Sequence, residues 1–322
     1  MSLIACSSRG ASTFLRSIVG GAAQVRPGLL DDQKCWWVIV VVKMGTVHGV
    51  YLKYVGISAL SYAGYAFLAS KSDGTRATAA ELLMGARSAD RSLVTSMGAL
   101  VLGYSTLLNG LIAVLFKLEC GMGLIGKNRK TGQIPWWSYV AFFPFHIPTI
   151  LYTHIHTLTG TQKNDKGEKE LVPVASKVQP GWWIGGCYGH LLEKDWAGII
   201  DLTVEFPEKC IGRTKHYLST PTWDGVPASP AQLEEAAAFA LSIREAIPEG
   251  DILVHCAHGR GRGTTIMCAC LVKAGLYKTW EEAFEQGIRP YRQCCKLNRR
   301  MRQNLTAWQA EYVDGVQSKK GQ

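Results

Sequence analysis

Cys256 and Arg262 stand with five residues between them in the run Val-His-Cys-Ala-His-Gly-Arg-Gly-Arg-Gly-Thr, residues 254–264. An apolar run, Asp251-Ile252-Leu253-Val254-His255, leads into it and reads as a strand. A helix-forming stretch follows. A tight loop at a helix N-terminus aims backbone N–H groups at one point, which suits a phosphate dianion. The same positive field draws negative charge onto the Cys256 sulfur, as a nucleophile needs. The planar fork of Arg262 can take two phosphate oxygens. Gly259 and Gly261 permit close backbone approach. His258 and Arg260 add positive potential, and His255, Ala257, Gly263 and Thr264 complete the loop.

This segment, HCAHGRGR, resembles the His-Cys-x5-Arg signature of the cysteine-based protein tyrosine phosphatases. The resemblance implies a two-step displacement through a phosphocysteine, with no metal and no cofactor. It also implies an aspartate on a movable loop about 30 residues upstream, which protonates the leaving oxygen. Asp224 lies 32 residues before Cys256, among turn-forming residues in Pro-Thr-Trp-Asp-Gly-Val-Pro. Asp201 and Glu205 are its rivals. GWWIGGCYGH and WAGIIDLTVEFPE resemble the opening strands of atypical dual-specificity phosphatases, and IRPYRQCCKLNRRMRQNLTAWQ resembles their closing helix. Within it, Asn298 matches an asparagine that orients the phosphate loop. PWWSYVAFFPF is similar to a Trp- and Pro-rich lead of plant-type members. One position departs from the family. A Ser or Thr usually follows the motif Arg and helps Cys leave in the second step. Here Gly263 stands there, and Thr264 comes one residue later.

Strands and helices must position these groups. Runs at Trp182-Trp183-Ile184-Gly185 and 198–202 read as strands, and Ser229-Pro230 opens a helix that runs to Pro248. Strand–helix alternation predicts an α/β domain of the protein-tyrosine-phosphatase type, with a mostly parallel central sheet flanked by helices, over 175–312. A polar segment, 159–174, reads as a linker.

The preceding half is different. The chain of 322 residues carries a net charge of +10, of which residues 1–159 hold 14 basic against 6 acidic. That excess flanks apolar runs and points to a membrane, not to a nucleic acid. Residues 92–116 run for 25 positions without a charge, long enough to cross a bilayer as a helix. Residues 47–70 form a second span candidate, rich in small residues. Residues 134–158, broken by three prolines, read as interfacial or re-entrant, with a third span as the rival. The fold expected is therefore a helical membrane region, 36–158, before the phosphatase-like domain, with a basic tail over 1–35. Lys117, Lys127, Arg129 and Lys130 place the segment after the second span in the cytoplasm, and with 134–158 interfacial the catalytic half as well, whereas a third span would put it on the far side. The Arg- and Ser-containing first 30 residues also suit an organelle leader, mitochondrial or plastid. Ten cysteines show no zinc spacing and read as reduced thiols.

The function these features predict is a membrane-anchored dual-specificity phosphatase acting on phosphoproteins. A phosphoinositide or phosphatidylglycerophosphate-type phospholipid substrate is the alternative, with membrane lipids as partners. A phosphate-binding module without turnover is the third. A basic cluster at Arg289, Arg292, Lys296, Arg299, Arg300 and Arg302 could face anionic lipid or solvent.

Overall fold

A computed structural model describes residues 49–70, 93–163 and 167–315. The expected tail and leader, residues 1–35, lie outside the described residues. The first residues of the two candidate spans lie outside them as well.

Two long helices, α1 (Tyr51–Ser70) and α2 (Leu93–Leu118), form an antiparallel pair. Small residues allow the close approach. Gly64 faces Leu102, Gly98 faces Leu68, and the hydroxyls of Ser61 and Ser105 lie 2.8 Å apart. The outer faces stay apolar and uncovered, with Leu107 65% and Phe67 57% exposed. Among the described residues, one helix, Val94–Leu118, is long and apolar enough to cross a membrane. The Pro-rich stretch folds as α3 (Trp136–Ala141) and α4 (Phe143–Thr159), with Pro144 at the start of α4 where a missing N–H costs nothing. The expected linker carries a small antiparallel hairpin, β1 (Thr161–Lys163) and β2 (Lys169–Leu171).

The rest is an α/β domain. Its five strands are β3 (Ala175–Gln179), β4 (Trp182–Gly185), β5 (Gly198–Thr203), β6 (Tyr217–Thr222) and β7 (Ile252–His255), in the spatial order β3-β4-β7-β5-β6. Only the β3–β4 pair is antiparallel. The sheet is thus mixed and mostly parallel, as expected. The sequence pattern did not show β3 and β6. Both are edge strands with polar residues, and neither has the continuous apolar run of a central strand. β7 lies in the middle, and Ile252, Leu253 and Val254 have no exposed surface.

Helix α5 (Pro230–Ala246) begins with a complete capping box between Ser229 and Gln232, and Pro230 occupies its first turn. It packs beside α6 (Arg262–Lys273) on one face of the sheet, where Leu233, Ala237, Ile266 and Met267 meet Val254 and Ile200. Helix α7 (Arg299–Gln309) closes that layer through Met301, Leu305 and Trp308. A second core joins the two halves of the chain. Tyr54, Ile112, Phe116 and Phe145 from the N-terminal helices are buried together with Val204, Trp223 and Val226 of the α/β domain. The helical region is therefore built onto the domain and does not merely precede it.

Candidate active site

Cys256 leaves the C-terminal end of the central strand β7, and α6 begins at Arg262. That end of a parallel strand is where open α/β sheets place their ligands. Cys256 is 3% exposed, and its sulfur accepts the N–H of Gly259 at 3.2 Å. Gly259 has a φ of +64°, and a Cβ there would stand 2.4 Å from the Gly185 carbonyl oxygen. No other residue fits that turn. The positive end of α6 points into the same loop.

Arg262 is buried and held along one edge. Its Nη2 donates to Glu205 at 2.6 Å, and its Nη1 donates to the carbonyls of Leu202 and Thr222 and, at 3.3 Å, to Glu205. Burial works against its charge, but Glu205 and Asp224 hold its pKa above the ordinary arginine value. Its Nε is buried with no hydrogen-bond partner. A guanidinium fixed on one side with a donor left over on the other suits a phosphate oxygen.

Asp224 stands beside this group, its Oδ1 3.4 Å from Arg262 Nη2 and its Oδ2 3.7 Å from Lys53 of α1. Burial raises its pKa, but Arg262 and Lys53 outweigh that and hold the carboxyl below its usual range. The neighbouring Trp223 is fully buried. It stacks on Phe116 of α2 at 4.7 Å, meets Phe145 of α4 edge-on at 5.9 Å, and donates from Nε1 to the Cys120 carbonyl at 2.7 Å.

The structure thus brings Cys256, Arg262 and Asp224 together. It sorts the rivals too. Glu205 orients Arg262. Asp201 is buried beneath the loop with Lys127, Thr203, Tyr217 and His255 around it. His255 Nε2 contacts Glu208 at 2.5 Å. Burial opposes its protonation, but Glu208 and Asp201 raise its pKa to about 9. Asp201, Glu208 and His255 also bring three metal-ligating atoms within 4.8 Å of one another. The Lys127 ammonium already lies on Asp201, with its Nζ donating to Thr203 Oγ1 at 2.8 Å. A cation in that position serves the charge balance a metal would serve.

Several expected roles change. His258 adds no charge, because burial pushes its pKa well below the ordinary histidine value. Its ring packs 4.9 Å from His156 and 5.9 Å from Tyr152, both on α4. Arg260 Nη1 reaches His156 Nε2 at 3.0 Å. Asn298 caps α7 and donates to the Gly225 carbonyl at 2.9 Å, so these bonds tie it to the Asp224 loop. The loop from Cys256 to Arg262 is braced by Arg292, which is 1% exposed. It donates to the carbonyls of Gly259 and His258, each at 2.9 Å, and to Pro173 and Ser176. Reading it as one of a surface cluster missed this. Its local sequence carries no sign of burial. The Thr264 hydroxyl donates to the Arg260 carbonyl at 3.0 Å, a main-chain bond within the first turn of α6. Lys53, Lys127 and Glu205 were also missed as site components, and only Glu205 was weighed at all.

The sequence matches no family model and no curated protein. Solved structures similar in shape include human DUSP28, 20% identical over 43% of this chain and 95% of its own length, at a TM-score of 0.38. PTPMT1 is 19% identical over 45% of this chain and 99% of its own, at 0.36. Tk-PTP in its active form is 20% identical over 44% and 99%, at 0.38. Likeness at this level carries no chemistry. The chemistry is read from the site's own atoms.

Proposed function

We propose that the chain is a cysteine-dependent phosphomonoester hydrolase of the protein-tyrosine-phosphatase type, held at a membrane by α1 and α2. One observation carries the reading. A buried sulfur at a strand end, a guanidinium with a spare buried donor and a carboxyl on that guanidinium converge on one loop. In the first step the Cys256 thiolate attacks phosphorus and the P–O bond to the alcohol breaks. Phosphate bound at Arg262 offsets the charge that keeps Asp224 ionised, and the protonated Asp224 then gives its proton to the departing oxygen. Arg262 and loop N–H groups hold the three other oxygens. In the second step water attacks the phosphocysteine, Asp224 takes a proton from it, and the S–P bond breaks to release phosphate.

Thr264 spends its hydroxyl on the Arg260 carbonyl, and Gly263 has none to offer the leaving sulfur. These two facts favour a slow second step, so the phosphocysteine accumulates. The membrane part is supported by the exposed apolar faces of α1 and α2. Their antiparallel pairing puts the start of α1 and the end of α2 at one end, as two spans with a cytoplasmic catalytic half require.

The test uses the full chain in detergent, since Lys53, Lys127 and the partners of Trp223 lie in the N-terminal half. Wild type hydrolyses p-nitrophenyl phosphate with an initial burst and a covalent phosphoenzyme. Cys256→Ser abolishes both. Turnover that survives Cys256→Ser would overturn the proposal.

A further inference from the structure

We infer that the phosphate is borne by a phospholipid whose headgroup reaches Asp224 through a groove formed by α1, α2 and the start of α7. The inference rests on the phosphatase reading above and names the substrate class for that site. It begins with where the leaving group must go. Asp224 protonates the departing oxygen, so the space beyond Asp224 receives the alcohol. That space is a cavity of about 240 Å³. Its apolar wall comes from Val50 and Phe116, at the start of α1 and the end of α2. Its other wall carries Lys117, Arg299 and Arg300 against a single acid besides Asp224, Glu119, which pairs with Arg300 at 3.0 Å. An excess of cations next to a site for one phosphate suits a second anionic group on the same substrate.

The cavity continues outward. Tyr51 and Lys117 also line a larger groove of about 530 Å³ that runs between α1 and α2. Its walls are mostly carbon, from Val55, Ala59, Ala113 and Val114, and the hydroxyls of Ser58 and Thr106 that also line it already donate to the carbonyls of Thr106 and Leu102. An extended peptide lying there would leave its backbone N–H and C=O groups unpaired. An acyl chain has none to satisfy. The groove is open to the outside, where its own Val55, Tyr62, Val114 and Leu118 are 45%, 60%, 53% and 66% exposed, the surface that would meet lipid. Apolar groove, cationic rim and reacting acid follow one another in the order of a phospholipid's parts: chain, phosphodiester, terminal phosphomonoester. Arg299 and Arg300 thus belong to the substrate path, which gives part of the basic cluster a role.

The experiment compares substrates on the full chain in mixed micelles. The lipid probe is phosphatidylglycerophosphate or phosphatidylinositol 5-phosphate, the others a soluble phosphotyrosine peptide and p-nitrophenyl phosphate. The expected result is a kcat/KM for either lipid about a hundredfold above that for the peptide. Filling the groove with Ala59→Trp lowers the lipid-to-aryl-phosphate ratio about tenfold, and Lys117→Gln and Arg299→Gln lower it about fivefold each. Using a ratio measured on one preparation removes the effect of partial unfolding. Phosphatidic acid, which lacks a separate diester, falls behind the two headgroup phosphates. A peptide preference with an unmoved ratio in the three variants would overturn the inference and leave the phosphatase reading standing. Loss of Cys256-dependent turnover on every substrate would instead take both down.

Discussion

The two loops that make up the site are held by different parts of the chain. The Cys256–Arg262 loop is anchored mostly from within the α/β domain, with His156 and Tyr152 of α4 packed on its His258 and Arg260. It is continuous with the central strand β7, and Arg292 braces the carbonyls of His258 and Gly259. The Lys296 N–H adds a bond to the Arg260 carbonyl at 2.7 Å. The Asp224 loop leans on the N-terminal helices instead. Trp223 is wedged between Phe116 and Phe145 and bonded to Cys120, and Lys53 reaches Asp224 itself. The C-terminal half contributes Asn298 and Asn304, which bond the carbonyls of Gly225 and Ala228 at 2.9 and 2.8 Å. The loop of the proposed nucleophile thus rests chiefly on the domain, while the loop of the proposed acid leans more heavily on the apolar helices. A domain separated from those helices keeps the Arg292 brace of the first loop and loses the Phe116, Phe145 and Lys53 contacts of the second.

The strongest way to break this division is Trp223→Ala. Removing a fully buried Trp costs about 3–5 kcal/mol of stability and frees the acid loop. General-acid catalysis contributes about 10²–10⁴-fold, so turnover of alkyl phosphates, whose leaving group needs a proton, falls by that order. Turnover of p-nitrophenyl phosphate, whose leaving group does not, falls far less. Trp223→Phe keeps the stacking and restores most of the alkyl rate. Equal losses on both substrates would show that Trp223 supports the fold alone.

The same division explains what could be read in advance. The phosphate loop was legible because its chemistry is local. Cysteine, glycines and arginine sit within seven residues, and one strand and one helix flank them. Asp224 was legible only through the family's spacing. Nothing local distinguishes it from a turn aspartate, and its identity depends on Arg262, 38 positions on, and Lys53, 171 positions back. Lys53 and Lys127 were invisible for a related reason. In an apolar run a lysine reads as a flanking charge, and which carboxylate it meets is decided by packing. The central strands and α5 followed from apolar runs and a capping box. The edge strands did not, because half of their surface is polar.

Arg292→Met sharpens the contrast from the other side. The substitution leaves the carbonyls of His258 and Gly259 buried without that donor, at about 1–3 kcal/mol each. The loop that binds phosphate loosens while the acid stays in place. Activity therefore falls by the same factor for good and poor leaving groups, mainly through KM, and inorganic phosphate inhibits more weakly. A leaving-group dependence like that expected for Trp223→Ala would erase the distinction between the two anchors.

The smallest effect tests a place where the two halves meet beneath the Cys256–Arg262 loop. Lys127, from the segment after α2, lies on Asp201, which shares His255 with Glu208. His255 carries a raised pKa of about 9 against an ordinary 6.5, because Glu208 and Asp201 outweigh its burial. Its contribution to stability is full below pH 6.5 and fades as pH rises through about 9. Asp201 is shifted the other way. Burial raises its pKa, but Lys127 and His255 bring it to about 2 against 3.8, so its contribution is full above pH 3.8 and fades as pH falls through about 2. Thermal unfolding of the full chain should therefore show a plateau between those limits and a decline on the alkaline side of at most about 1.4 kcal/mol per pH unit. His255→Gln removes that decline, since the side chain no longer titrates, and Lys127→Met lowers the plateau by stranding Asp201. An alkaline decline that survives His255→Gln would assign the titration to another group and detach the Lys127 network from the loop above it.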